Sequence, residues 1–244
     1  MTVAIKASNV PAALTRGPVI TLDGPAGSGK SSTAQEVARR LGFRHLDSGA
    51  LYRALTFALL EEGVAEHTWG ALEPFELDPL GLRVEAEDAA VNIYRNGVLL
   101  TSELRGPGVT ERVAMVAGVP AVREWLLEVQ RSLGAEGNLV ADGRDMGTVV
   151  FPKADLKVFL IAGLEERARR RLIQDFAREP TMEEIKEMAE RIEQRDQADQ
   201  TRDHSPLKRP EDAVDLDTTA ITFDDQVSFI LRRIKDLTRL QGEI

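Results

Sequence analysis

The 244-residue chain reads as a three-layer α/β protein, with a central parallel sheet, a small antiparallel insertion and a helical lid. Three observations predict this. Short apolar runs alternate with amphipathic helical stretches, the pattern of a mostly parallel sheet covered on both faces. A glycine-rich stretch joins the first apolar run to the first helix. Residues 80–104 change texture to strict alternation around an Asn-Gly pair, the signature of a hairpin.

The elements follow in order. Pro18-Val19-Ile20-Thr21-Leu22-Asp23 is a short buried strand. After the glycine-rich turn, Ala34, Val37, Ala38 and Leu41 recur at helical spacing, predicting a helix from about Lys30 to Arg40 that Gly42 closes. A second helix runs from about Gly49 to Glu61. Residues 82–86 and 90–95 alternate as strands, and Asn96-Gly97 turns the chain into Val98-Leu99-Leu100. Helical texture spans about Gly108 to Leu133. Leu139–Asp142, Leu156–Ile161 and Ala213–Asp217 are strand candidates; residues 163–203 are charged and helical, and a last helix covers about Phe223 to Leu240. The first 16 residues read as a disordered tail before a single domain over 17–244, with the insertion at about 77–115 and the lid at about 163–203.

Composition narrows the function. There is no cysteine, which excludes disulfides, thiolate catalysis and Cys-type zinc sites. His45, His67 and His204 show no paired spacing and read as exposed or loop histidines. No apolar run approaches the roughly 20 residues of a membrane span, and residues 1–16 lack a secretory core, so we expect a cytoplasmic protein. The net charge of −9 disfavours general nucleic-acid binding. Arginines concentrated around 167–171 and at 195 and 202 in so acidic a chain imply a small bound anion.

Gly24-Pro25-Ala26-Gly27-Ser28-Gly29-Lys30-Ser31 matches the Walker A pattern, with Ser32 following. Glycines let successive backbone N–H groups turn inward around phosphates, and the helix that starts here adds its positive end. Lys30 is placed for the β- and γ-phosphates of ATP and Ser31 for Mg²⁺. The alternative is a structural turn, but the strand before and the amphipathic helix after supply the context a nucleotide loop requires. The guanine-reading Asn/Thr-Lys-x-Asp element of GTPase switches is absent from the sequence.

Three further segments stand out: Asp47-Ser48-Gly49-Ala50-Leu51-Tyr52-Arg53, Asp142-Gly143-Arg144-Asp145-Met146-Gly147-Thr148, and Arg195-Asp196-Gln197-Ala198-Asp199-Gln200-Thr201-Arg202. With the phosphate loop, and in this order, they resemble the bacterial cytidylate kinases, P-loop nucleoside monophosphate kinases, over residues 18–240. The resemblance implies transfer of the ATP γ-phosphate to CMP or dCMP by a monomer. It assigns Arg53, Arg144 and Arg202 to the acceptor phosphate, Arg195 and Asp199 to the ribose, and Arg123 and Asp145 to the base, with Ser48 also at the acceptor. A dianionic acceptor suits converging arginines. Each of these arginines has a simpler reading as a surface ion pair.

The lid arginines Arg167, Arg169, Arg170 and Arg171 follow a predicted strand; Arg167 and Arg171 share a helical face and are candidates to meet the transferred phosphate, unless Glu165 and Glu166 pair them on a solvated helix. Asp142 ends a predicted strand near the loop, placed to orient Mg²⁺ through water. Ile185, Met188, Ile192, Arg195, Asp199 and Arg202 form one helical stripe that turns from apolar to charged, which points the charged end at a cleft rather than at a ladder of salt bridges. The chain departs from the resemblance at Ala114, where many relatives carry a base-contacting serine, so discrimination against UMP is in question. The rival reading keeps the fold and changes the acceptor to UMP, another nucleotide or a metabolite such as shikimate.

Overall fold

A computed structural model describes residues 17–87 and 90–242; the expected tail, residues 1–16, lies outside them. Eight described strands form one sheet in the order β3-β4-β2-β6-β1-β7-β8, with β5 on β4. The parallel strands are β1 (Val19–Asp23), β2 (Arg44–Asp47), β6 (Leu139–Gly143), β7 (Leu156–Ile161) and β8 (Val214–Asp217). All five residues of β1 are buried, the polar Thr21 and Asp23 included, which fits a central strand covered on both faces.

β3 (Leu82–Glu87), β4 (Ala90–Arg95) and β5 (Val98–Leu99) are antiparallel to one another. Asn96 and Gly97 both have positive φ, 50° and 82°, as a tight hairpin turn demands. This antiparallel element does not stand apart. Among the described residues it continues the main sheet through one parallel pairing, His45 with Ala90.

Helices α1 (Lys30–Leu41) and α7 (Phe223–Gly242) cover one face, packing Ala34, Val37, Val227 and Ile230 on Ile20, Leu22, Val140 and Val158. On the other face α2 (Ser48–Glu61), α3 (Pro107–Val116) and α4 (Pro120–Ala135) enclose the larger core around Leu55, Leu126 and the fully buried Trp69. The helical texture expected over about 108–133 falls into two helices, because Pro120 has no N–H to continue the first and sits comfortably at the start of the second. α5 (Leu164–Phe176) and α6 (Met182–Thr201) form a third, smaller apolar cluster from Ala168, Leu172, Ile185, Ala189 and Ile192. Thr181 and Glu184 cap the start of α6 reciprocally. Among the described residues no helix is long and apolar enough to cross a membrane.

Candidate active site

The register of the parallel strands brings the motifs together. Asp23 pairs with Gly143, and Asp47 with Asp142, so the phosphate loop after β1, Ser48 after β2 and Arg144-Asp145 after β6 all leave one edge of the sheet side by side. That edge, at the carboxyl ends of the strands, is where open α/β sheets bind ligands.

In the loop, Gly27 has φ 75° and a Cβ there would lie 3.1 Å from both Cβ and O of Arg167. Only glycine fits that close approach. Gly29, φ 87°, precedes α1, whose first residue Lys30 is buried and donates to Pro25 O at 3.2 Å. Burial, helped by the nearby Arg144 guanidinium, pushes the Lys30 ammonium down to about 7. Ser31 Oγ donates to Asp142 Oδ2, and His45 Nε2 lies 2.8 Å from Asp142 Oδ1. Ser28 is buried, whereas Ser32 lies on the exposed side of α1.

Opposite the loop the arginines gather. Arg144 Nε donates to Asp199 Oδ2 at 2.7 Å, tying the end of β6 to α6. Arg53 Nη1 reaches Leu104 O at 3.2 Å and Thr110 Oγ1 at 3.1 Å. Arg202 Nε donates to Ser205 O at 2.6 Å. Burial and the positive charges of Arg144, Arg53 and Arg171 push Arg195 down to about 10. Burial likewise lowers Arg53 and Arg202. Among the described residues, buried Arg195 Nε and Arg202 Nη2 have no hydrogen-bond acceptor. Like charges crowded together with orphaned donors make a candidate anion site, since each unpaired buried N–H is costly until an acceptor oxygen reaches it.

Arg123, on α4, donates to Asp145 Oδ2 and to Ala117 O, the latter at 3.2 Å, with Tyr52 beneath its guanidinium. Arg167 donates to Ala26 O and to Asp196, while Arg170 engages Glu166 and Thr218. Arg171 pairs with Asp175 at 2.9 Å and is more exposed.

Known proteins resemble this chain in sequence over most of its length. The family model described as cytidylate kinase matches residues 20–236. The chain belongs to the cytidylate kinase family. A cytidylate kinase from Salinibacter ruber is 43% identical, over 89% of this chain and 96% of its own. One from Shouchella clausii is 39% identical, over 93% and 100% respectively. A bifunctional pantoate ligase/cytidylate kinase from Synechococcus sp. is 41% identical over 91% of this chain, which spans 46% of that longer protein. Membership in the cytidylate kinase family makes the chain a nucleoside monophosphate kinase.

Seen within that family, three placements differ from what the sequence suggests. His45 is neither exposed nor in a loop: it sits on β2 with its side chain 17% exposed, bonded to Asp142. Leu46 is the one apolar residue of β2, so no apolar pattern marks the strand. The buried line on α6 runs Ile185, Ala189, Ile192, Asp196, so the charged residue continuing the apolar stripe is Asp196, with Asp199 also buried one turn on. Asp23, unremarked in the sequence, is buried and accepts from Met146 N at 2.9 Å and Gly147 N at 2.7 Å. Burial raises its pKa to about 7 despite those two donors. Asp23 thereby holds the turn that carries Arg144 and Asp145. Ser48 is buried at the start of α2, and Ala114 lies on an exposed face of α3.

Proposed function

We propose that this member of the cytidylate kinase family transfers the γ-phosphoryl group of Mg·ATP to CMP or dCMP, giving ADP and CDP or dCDP. The observation that carries the reading is the arginine cluster with unsatisfied N–H groups on Arg195 and Arg202, near enough to Lys30 for the positive charge of Arg195 to depress it. Phosphoryl transfer needs two phosphates in line and their charge neutralised, and little else from protein.

The loop residues Gly24 to Ser32 hold the donor phosphates, and Lys30 regains full positive charge beside them. Arg53, Arg144 and Arg202 hold the acceptor phosphate; Arg195 and Asp199 meet the ribose, with Ser48 at the same site. Arg167 and Arg171 cover the transferred group from the lid, residues 163–203, while the insertion, residues 77–115, encloses the acceptor.

Among the described residues no three His, Cys, Asp or Glu side chains are placed to hold a metal by themselves. That suits Mg²⁺, which keeps waters and takes substrate phosphates as ligands. Ser31 and Asp142, in contact with each other, are the residues that fit it. When bound, the ion neutralises charge on the phosphate oxygens.

Cytosine offers an amino donor at N4 and acceptors at N3 and O2, which match Asp145 and Arg123 respectively. Uracil reverses the pattern and sets a carbonyl oxygen against the Asp145 carboxylate. We place the enzyme in the cytoplasm as a monomer that acts on small nucleotides and not on nucleic acid.

The experiment is ADP formation from Mg·ATP with CMP, dCMP, UMP, AMP, GMP, dTMP and shikimate offered one at a time. Turnover confined to CMP and dCMP is expected. Turnover with UMP at a similar rate traces to the missing serine at Ala114, and turnover with none of the acceptors refutes the reading.

A further inference from the structure

The last turns of α6 hold a carboxylate where an apolar residue would be expected. Asp196 extends the buried line Ile185–Ala189–Ile192 against α5, and it is 7% exposed. A charge in that place needs partners, and it has two. Oδ1 accepts the backbone N–H of Ala26, in the phosphate loop, at 3.0 Å. Oδ2 accepts from Arg167 Nη1, which also donates to Ala26 O at 3.0 Å. Both backbone groups of one phosphate-loop residue are thus held by one buried ion pair spanning α5 and α6.

Asp196 adjoins Arg195 and precedes Asp199 by less than one helical turn. Asp199 in turn holds Arg144. A connected path therefore runs from the donor loop at Ala26, through Asp196, to the acceptor face of α6 and the end of β6. Gly27 packs against the backbone of Arg167, so the loop and the start of α5 are already one body. Asp196 is the tie that adds α6 to it.

We propose that Asp196 is a positioning residue that couples occupancy of the acceptor site to the shape of the phosphate loop. An acceptor nucleotide that orders Arg195, Asp199 and Arg202 fixes the last turns of α6, and Asp196 then holds Ala26 in place for the donor. Coupling of this kind is reciprocal: the donor must favour the acceptor by the same factor. The inference rests on the proposed reading of α6 as the acceptor-binding helix.

The test is the dissociation constant of CMP, measured by calorimetry alone and with saturating Mg²⁺ and a non-hydrolysable ATP analogue. In the unaltered enzyme the analogue tightens CMP on the order of tenfold. Asp196→Asn keeps an oxygen for the Ala26 N–H but turns an amide toward Arg167. It should bind CMP alone within about twofold of the parent and lose the tightening. Absence of tightening in the parent, or its survival in Asp196→Asn, overturns the proposal. So does loss of CMP binding in a folded variant, which would make Asp196 part of the acceptor site itself. Failure of CMP to bind the parent at all would instead sink the reading of α6.

A second measurement needs no variant. Hydrogen exchange of the unaltered enzyme should show CMP alone slowing exchange in a peptide spanning residues 22–32. Unchanged exchange there, with CMP bound, refutes the coupling whether or not Asp196→Asn folds.

Discussion

Arg123 and Asp145, 22 residues apart in sequence, meet as a buried ion pair whose side chains are 10% and 3% exposed. Each fixes the other: the carboxylate is turned by the guanidinium, which is itself anchored on Ala117 O and stacked over Tyr52. A base placed against this pair meets an acceptor and a donor already oriented, which is how a site discriminates two pyrimidines of equal size.

Asp145→Asn should therefore erode the preference for CMP over UMP. A hydrogen bond to a charged group is worth about 1.5–3 kcal/mol, which corresponds to roughly 10- to 100-fold in the ratio of kcat/KM values. Steady-state kinetics with both nucleotides read it directly. A ratio unchanged by the substitution places base recognition elsewhere. Ala114→Ser should move the ratio the other way, toward CMP, by restoring a hydroxyl on α3.

Lys30→Ala should lower kcat by roughly 10²-fold or more, because the positive charge facing the transferring group is lost. Among the described residues Lys30 donates one hydrogen bond, to Pro25 O, and burial already disfavours its charge. Its removal should leave the melting temperature level or slightly raised, and near-normal turnover in the variant contradicts the assigned role.

Asp23 makes stability depend on pH. Its pKa is raised from 3.8 to about 7 by burial, so ionising it costs the folded state more than the unfolded chain. Its contribution to stability is greatest below about pH 4, falls as pH rises toward 7, and is level above. Asp23→Asn removes the ionisation but keeps one acceptor for Met146 N or Gly147 N. The parent should lose stability relative to this variant between pH 5 and pH 8, by a few kcal/mol. Parallel melting curves across that range would show that Asp23 stays ionised throughout.

Trp69 is fully buried in the larger core, with its indole N–H on Val64 O at 3.1 Å. Trp69→Ala should cost about 3–5 kcal/mol in chemical denaturation, from the cavity and the orphaned carbonyl. A loss under about 1 kcal/mol would mean that the surrounding turn collapses into the space.

The parts of the fold written as local pattern were legible in the sequence. β1 is mostly apolar and buried throughout, α1 has helical spacing closed by Gly42, and Asn96-Gly97 sets the hairpin. β2 was not legible, because Arg44-His45-Leu46-Asp47 has one fully buried residue and its strand conformation comes from pairing with β6 and β4. For the same reason His45 looked idle: its contact with Asp142 depends on sheet order, which single-sequence periodicity does not encode. Asp196 was hidden differently. It lies inside a recognisable motif, but only the packing of α5 on α6 shows that it belongs to the apolar face and not to the cleft. Charge clustering pointed to a candidate anion site, whereas the partners of each arginine within it required the fold.

The contact between Gly27 and Arg167 has a mechanical consequence. A Cβ on Gly27 would lie 3.1 Å from both Cβ and O of Arg167, so the start of α5 packs on the phosphate loop with no room for a side chain between them. A side chain at Gly27 would therefore push α5 off the loop, and with it the whole α5–α6 pair out to its far tip, where Phe176 and Met182 stand 59% and 73% exposed.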